Sequence, residues 1–152
     1  MFKFLKKKAK YFTEQERAQI VEAIRVAEKR TSGEIRLYVE KHCRFMDAMD
    51  RAAELFFHLQ MQKTDDRNAV LVYVAIKDRQ LAIFGDEGIY KKTGNAYWVA
   101  LVEGMLRNFN TSNYAEGIKG CVAGIGEGLH KHFPFDNVTD KNELPDDIVF
   151  GD

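Results

Sequence analysis

Hydrophobic residues near the start of the chain recur at helical spacing and then change to strict alternation. The helical positions are Ile20, Val21, Ile24 and Ala27. Thr13 and Glu16 have the spacing of a capping box, which predicts that the helix begins there, and Ser32-Gly33 predicts its end. Residues 34–40 alternate between polar and apolar side chains. This segment is therefore predicted to be a strand with one buried face.

The middle of the chain predicts a second helix followed by a β-hairpin. The apolar stripe of the helix comprises Met46, Met49, Ala53 and Phe56. Residues 68–76 are almost uninterrupted β-branched and apolar residues, the pattern of a strand covered on both faces. A short polar connector at 77–80 leads to a third strand at 81–84, so these two strands are predicted to form a hairpin, closed by residues 85–88.

Two more helices are predicted in the last third of the chain. The first has its apolar face at Trp98, Leu101, Val102, Met105 and Leu106, and the second at Tyr114, Ile118, Cys121, Val122, Ile125 and Leu129. The second also carries a glycine stripe at Gly117, Gly120, Gly124 and Gly128. Each glycine costs about 1 kcal/mol relative to alanine inside a helix. We therefore expect this helix to approach the sheet or a neighbouring helix closely.

This order of elements predicts an α/β domain of two or three layers. The first two strands are joined through a helix, so they are expected to be parallel with a right-handed βαβ crossover. The second and third strands form a hairpin and are antiparallel, which gives a small mixed sheet. The starts of the first two strands then lie at the same edge as the end of the third.

Acidic residues occupy the segments that meet at this edge. They are Glu34, Asp65, Asp66, Asp86 and Glu87. Converging carboxylates repel, raise one another's pKa or hold a cation. Ca²⁺ takes six to eight oxygen ligands and suits short acidic loops, Mg²⁺ is possible with stricter geometry, and soft metals are disfavoured because these loops lack cysteine and histidine. The other interpretation is that Asp65 and Asp66 cap or solvate their loop, with Arg67 neutralising one of them.

Composition adds boundaries and a location. The 23 Lys and Arg residues balance the 23 Asp and Glu residues, so overall charge gives no argument for a nucleic-acid partner. The charges divide the chain into a basic N-terminal extension (1–12), the α/β domain (13–133) and an acidic C-terminal tail (134–152). Two cysteines are too few for a disulfide framework, and no segment has the pattern of a signal peptide or a membrane span. A cytoplasmic protein that does not span the membrane is predicted.

His42-Cys43 suggests a thiol nucleophile beside a base. Adjacent residues of a strand point to opposite faces, however, so a structural cysteine is the favoured interpretation.

Five short motifs in this order resemble a known family, the TPM domain. They are Thr31-Ser32-Gly33-Glu34-Ile35, Arg67-Asn68-Ala69-Val70-Leu71, Lys77-Asp78-Arg79, Gly85-Asp86-Glu87-Gly88-Ile89 and Tyr114-Ala115-Glu116-Gly117-Ile118. The family is named for a thylakoid-lumen protein, a photosystem II repair protein and a modulator of acetylcholine receptors. The resemblance covers roughly residues 12–133 and implies a three-layer α/β/α sandwich with helices on both faces of the sheet.

The resemblance also implies chemistry and partners. In several members acidic loop residues at the strand ends hold Ca²⁺. The resemblance implies that Asp65, Asp66 and Asp86 are the corresponding ligands here, and less directly Glu87 and Glu34. It further implies a phosphatase activity proposed for plant members, and the chain resembles the short cytosolic bacterial form whose genes often accompany one for a LemA-type membrane protein.

The two functions predicted from these observations are a Ca²⁺-binding regulatory or protein-interaction module and a metal-dependent phosphatase of phosphomonoesters. In the phosphatase, Arg67 and Lys91 or Lys92 would contact the phosphate. The first is favoured, because the sequence offers no nucleophile or general base beyond the carboxylates themselves.

Overall fold

A computed structural model describes residues 11–110, 113–135 and 148–151. The helices are α1 (Glu14–Glu28), α2 (Ala48–His58), α3 (Glu87–Thr93), α4 (Asn95–Asn110) and α5 (Tyr114–His132). The strands are β1 (Glu34–Glu40), β2 (Ala69–Ala75), β3 (Gln80–Gly85) and β4 (Val149–Phe150). The capping box predicted for the first helix is present, since Thr13 Oγ1 accepts from Glu16 N at 3.0 Å and Glu16 Oε1 accepts from Thr13 N at 2.9 Å.

The four strands form one mixed sheet in the order β3-β2-β1-β4. β1 and β2 are parallel, with Glu34 opposite Ala69, and β2 and β3 are antiparallel, with Val70 opposite Gly85. The βαβ crossover and the β-hairpin predicted from the sequence are thus both confirmed. Every residue of β2 is buried, as its continuous apolar sequence requires.

Helices cover both faces of the sheet, which confirms the three-layer α/β/α sandwich. One face packs against α1, α4 and α5 around Ile20, Val72 and Ile125, all fully buried. The other face packs against α2 around Phe56 and Tyr73. In the described part of the chain, no helix combines the length and the apolar character needed to cross a bilayer.

The glycine stripe of α5 is explained in part by close packing. A Cβ on Gly124 would lie 2.4 Å from Leu101 Cδ2, and one on Gly128 would lie 2.5 Å from Tyr97 Oη. Tyr97 also donates a hydrogen bond to the Gly124 carbonyl and accepts one from Gly128 N at 3.1 Å. These glycines therefore allow α4 and α5 to approach each other, whereas Gly120 has open space around it.

Three elements differ from the sequence prediction. The helix α3 replaces a loop after β3, because Asp86 acts as its N-cap and Ile89 is its buried anchor. The strand β4 pairs parallel to β1 inside the segment predicted as an acidic tail, and Ile148 before it is buried. The stripe residue Met46 lies outside the second helix, which begins after the Asp47 N-cap.

The predicted extension and tail fall largely outside the described residues. Of the basic segment 1–12, residues 11 and 12 are described, and Phe12 is buried in the core. The acidic positions Asp136, Asp140, Glu143, Asp146, Asp147 and Asp152 lie outside the described residues.

Candidate functional site

Three segments of the chain meet at one edge of the sheet, which we call the strand-start edge: residues 32–34, 64–69 and 85–88. Backbone hydrogen bonds join them. Asp86 N donates to Ala69 O at 2.9 Å, Gly88 N donates to Arg67 O at 2.8 Å, and Glu34 N donates to Asn68 O at 3.5 Å. The segments predicted to share an edge are therefore neighbours in the structure.

Asp86 is the buried charge of this edge and is held by Arg67. Its side chain is 3 % exposed, and its two carboxylate oxygens accept from Arg67 Nε at 2.6 Å and Nη2 at 2.8 Å. Asp86 Oδ1 also accepts from Glu87 N at 2.8 Å, which caps α3. Bidentate pairing of this kind fixes both partners. The neutralising role considered for Arg67 therefore exists, but its partner is Asp86 rather than Asp65 or Asp66.

Arg67 itself is placed by an unusual backbone. Its φ is +52°, in the left-handed region that L-residues adopt at a cost. Its guanidinium reaches a second carboxylate, with Nη1 3.3 Å from Glu87 Oε1. The hydrogen bond to Asp86, followed by the charges of Asp86 and Glu87, raises the pKa of Arg67. Arg67 is thus a permanent cation set among the acids.

The remaining predicted carboxylates are more dispersed. Asp65 and Asp66 are both exposed in the loop before β2, and Glu87 is exposed at the start of α3. Glu34 is buried at the first position of β1. Within residues 11–110, 113–135 and 148–151, no three Asp, Glu, His or Cys side chains converge as ligands of one metal ion. The acids share an edge, and any cation bound there requires oxygen donors of other kinds as well.

Two such donors are present in the same loop and were absent from the sequence prediction. Thr64 is 7 % exposed and Asn68 is 1 % exposed. The buried side-chain atoms Thr64 Oγ1 and Asn68 Oδ1 have no hydrogen-bond partner among the described residues, although Asn68 Nδ2 donates to Ser32 Oγ at 3.2 Å. Most buried polar atoms are paired, and these two oxygens are among six unpaired buried side-chain atoms in the described residues. The run of polar residues Thr64-Asp65-Asp66-Arg67-Asn68 is the signal that could have identified them.

The lysines considered for phosphate binding lie on α3. Lys91 and Lys92 are both exposed. Lys92 Nζ lies 4.5 Å from the centre of the Phe133 ring and 3.5 Å from His132 O, so Lys92 is directed to the end of α5. Of these two lysines, Lys91 is therefore the one that remains a candidate for a phosphate contact near Glu87.

Cys121 is excluded as a nucleophile by its surroundings. It is buried in the core, and burial raises the pKa of its thiol to about 12. It therefore stays protonated at neutral pH.

The sequence profile of the TPM domain matches residues 5–128 of this chain. A comparison with curated protein sequences gives no match.

Solved structures of similar fold include the BA42 protein of the psychrophilic bacterium Bizionia argentinensis, which is 38% identical, with a TM-score of 0.85 over 92% of this chain and 95% of that one. Two others show the fold alone. The first is the N-terminal domain of the cg2496 protein of Corynebacterium glutamicum, with 13% identity and a TM-score of 0.63 over 78% of this chain and 74% of that one. The second is the N-terminal domain of a P. gingivalis protein, with 14% identity and a TM-score of 0.68 over 86% of this chain and 85% of that one. On its sequence profile and its likeness to BA42, this chain belongs to the TPM domain family.

Proposed function

We propose that this TPM domain binds a divalent cation, Ca²⁺, at the strand-start edge, and that the bound ion fixes a surface for a protein partner. The donors would be the carboxylates of Asp65, Asp66 and Glu87 together with Thr64 Oγ1 and Asn68 Oδ1. Hard oxygens of this mixture suit Ca²⁺, which accepts irregular geometry, better than Mg²⁺, which demands a near-ideal octahedron.

The observation that carries the proposal is the pair of orphaned oxygens. Burying a polar atom without a partner costs free energy, and a cation between Thr64 Oγ1 and Asn68 Oδ1 would remove that cost. Neither oxygen has a described donor. Asp65 and Asp66 lie between these two oxygens in sequence and are exposed. They form no ion pair with another described residue, so their negative charge is available to a cation.

Asp86 and Glu34 have supporting places in this donor set. Both oxygens of Asp86 are engaged by Arg67, so Asp86 becomes a ligand only if Arg67 releases it. Glu34 is buried at the start of β1, and its backbone N donates to Asn68 O. Glu34 would therefore stabilise the loop 64–68 rather than bind the cation.

Calorimetry tests the site. Ca²⁺ is expected to bind the wild type more tightly than Mg²⁺ does, and the double variant Asp65→Asn/Asp66→Asn is expected to lose at least about tenfold in Ca²⁺ affinity, because affinity follows the number of charged ligands. Asp50→Asn is the matched control, since Asp50 is also an exposed aspartate and lies in the first turn of α2. Equal binding by the double variant and the wild type would remove this assignment.

Replacing Arg67 by glutamine tests whether the Arg67 guanidinium and Ca²⁺ compete for Asp86. The Ca²⁺ affinity is expected to rise about tenfold, because a neighbouring positive charge is lost from the carboxylates. Without Ca²⁺ the melting temperature is expected to fall, since Asp86 keeps its buried charge without a counterion. Thermal denaturation with and without Ca²⁺ measures both effects, and an Arg67→Gln variant whose Ca²⁺ affinity is lower would show that Arg67 helps rather than competes.

A bound cation would link the loop 64–68 to the N-terminus of α3. That junction depends at present on the Arg67 contacts and on one backbone hydrogen bond, Gly88 N to Arg67 O. A protein that recognises the ordered loop would then bind in a Ca²⁺-dependent manner. The LemA-type membrane protein implied by the family resemblance is the first partner to test in this proposal.

A metal-dependent phosphatase is the second candidate. The exposure of Lys91 one turn after Glu87 favours it, because a phosphate at the edge would meet a cation there. Arg67 is engaged with Asp86 and Glu87, which leaves Lys91 as the phosphate contact. Hydrolysis of p-nitrophenyl phosphate by the wild type in Ca²⁺ or Mg²⁺, abolished in Asp66→Asn, would establish the phosphatase in place of the interaction module.

A further inference from the structure

A cavity of about 510 Å³ lies at the opposite end of the parallel strands, in the loop that follows β1. It lies roughly 20 Å from the strand-start edge, because each of the seven residues of β1 adds about 3.3 Å. We call it the carboxyl-end pocket, lined among others by Lys41, His42, Arg44, Phe45 and Arg51. Ligands of open α/β sheets bind at the carboxyl ends of parallel strands, and this volume is that of a small-molecule site.

The loop that forms the pocket is held in one conformation by Asp78, which lies in the β2–β3 connection. Asp78 Oδ1 is 2.8 Å from His42 Nδ1, and Asp78 Oδ2 accepts from Cys43 N at 2.7 Å. The hydrogen bond to His42, followed by that from Cys43, lowers the pKa of Asp78. Cys43 Sγ in turn donates to Met46 O at 3.3 Å. His42 is thus oriented by the hydrogen bond that its Nδ1 donates to Asp78.

Among the residues that line the pocket, three cations face two carboxylates, and a third carboxylate, Asp78, lies close enough for the charge of Arg44 to lower its pKa. Both carboxylates of the lining, Glu40 and Glu54, are paired with Arg51, whose Nε lies 2.9 Å from Glu40 and whose Nη1 lies 2.5 Å from Glu54. Neither Lys41 nor Arg44 forms an ion pair with another described residue. These two side chains are exposed at the pocket, so the ligand they favour is an anion.

An apolar wall stands beside these cations. Phe45 is 100% exposed, and its φ of +71° is one that non-glycine residues rarely adopt. Met46, which also lines the pocket, is exposed as well. Backbone strain combined with an unburied aromatic ring is typical of a binding site rather than of a loop selected for stability alone.

We propose that the carboxyl-end pocket binds a small organic anion, a carboxylate or a phosphate ester that carries a flat apolar group. Arg44 and Lys41 receive the anion, and Phe45 and Met46 cover the apolar group. The proposal is independent of the strand-start edge, since the two sites share no residue.

Nuclear magnetic resonance titration of the ¹⁵N-labelled full chain tests the pocket with phenyl phosphate and phenylacetate as probes. Saturable shifts of the amide signals of residues 41–46 are expected with at least one probe, and the one that binds identifies the anion. Arg44→Gln and Phe45→Ala are each expected to weaken binding about tenfold, because each removes one of the two contacts and both side chains are exposed in the free protein. Arg107→Gln, an exposed arginine of α4, is the matched control and should leave the affinity unchanged.

Three results would overturn the proposal. The first is the absence of saturable shifts at residues 41–46 with both probes. The second is unchanged affinity in Arg44→Gln. The third is that benzyl alcohol alone or inorganic phosphate alone binds as tightly as the better probe. The neutral ring or the bare anion would then be sufficient for binding, and the pocket would not recognise the two groups together.

Discussion

Replacing Gly88 by alanine is expected to destabilise the protein by about 3 kcal/mol, the upper end of the usual cost of overpacking. A Cβ at this position would lie 2.1 Å from Asp66 O and 2.6 Å from Arg67 O. Both atoms belong to the backbone of the loop 64–68, so no side chain can rotate away to make room. The loop must move off α3, and we expect the Ca²⁺ affinity to fall with it. Urea denaturation and calorimetry measure the two effects.

Gly120→Ala is the control for this variant, because a Cβ there meets no atom within 4 Å. Gly120 lies in α5, where alanine is favoured over glycine by up to about 1 kcal/mol. The same substitution should therefore stabilise one helix and destabilise the other. A Gly88→Ala protein as stable as the wild type would mean that the loop does not lie against α3 in this way.

Replacing Arg51 by methionine is also expected to lower the free energy of unfolding substantially. The Glu40 carboxylate is 7% exposed, accepts from Arg51 Nε and Nη2 at 2.9 and 3.0 Å, and accepts from the Tyr73 hydroxyl. Removing the arginine leaves a buried carboxylate with no counterion among the described residues, which typically costs 3–5 kcal/mol. Because Arg51 is 25% exposed and water can enter in its place, we expect about 3 kcal/mol in urea denaturation.

The double variant Glu40→Gln/Arg51→Met distinguishes loss of the charge balance from loss of packing. Glutamine keeps an oxygen for the Tyr73 hydroxyl and carries no charge, so the double variant is expected to recover at least half of the lost stability. If Arg51→Met alone cost less than about 1 kcal/mol, the pair would behave as a surface ion pair.

The pairing of the first three strands could be predicted because each of them had its own signal. The alternation of residues 34–40 and the continuous apolar run 68–76 indicated one half-buried and one buried strand, and the connector at 77–80 is long enough only for a hairpin. From these elements alone the shared edge of Glu34, Asp66 and Asp86 follows. The family resemblance supplied the third layer and the preference for calcium.

What could not be predicted depends on contacts between distant residues. The helix α3 has seven residues and begins with Glu87-Gly88, so it shows no helical periodicity in the sequence. The two residues of β4 are a strand because they find the free edge of β1. Arg67 pairs with Asp86 from a left-handed backbone conformation. The residues around Arg67 in the sequence do not indicate that conformation.

Titrating Ca²⁺ into metal-free ¹⁵N-labelled protein and following the amide signals shows whether a cation binds at the strand-start edge. We predict saturable shifts at residues 64–68 and 86–88, and no comparable change at residues 41–46. A titration in which Ca²⁺ moves no signal, or in which the shifts are confined to segments outside the strand-start edge, would contradict the account.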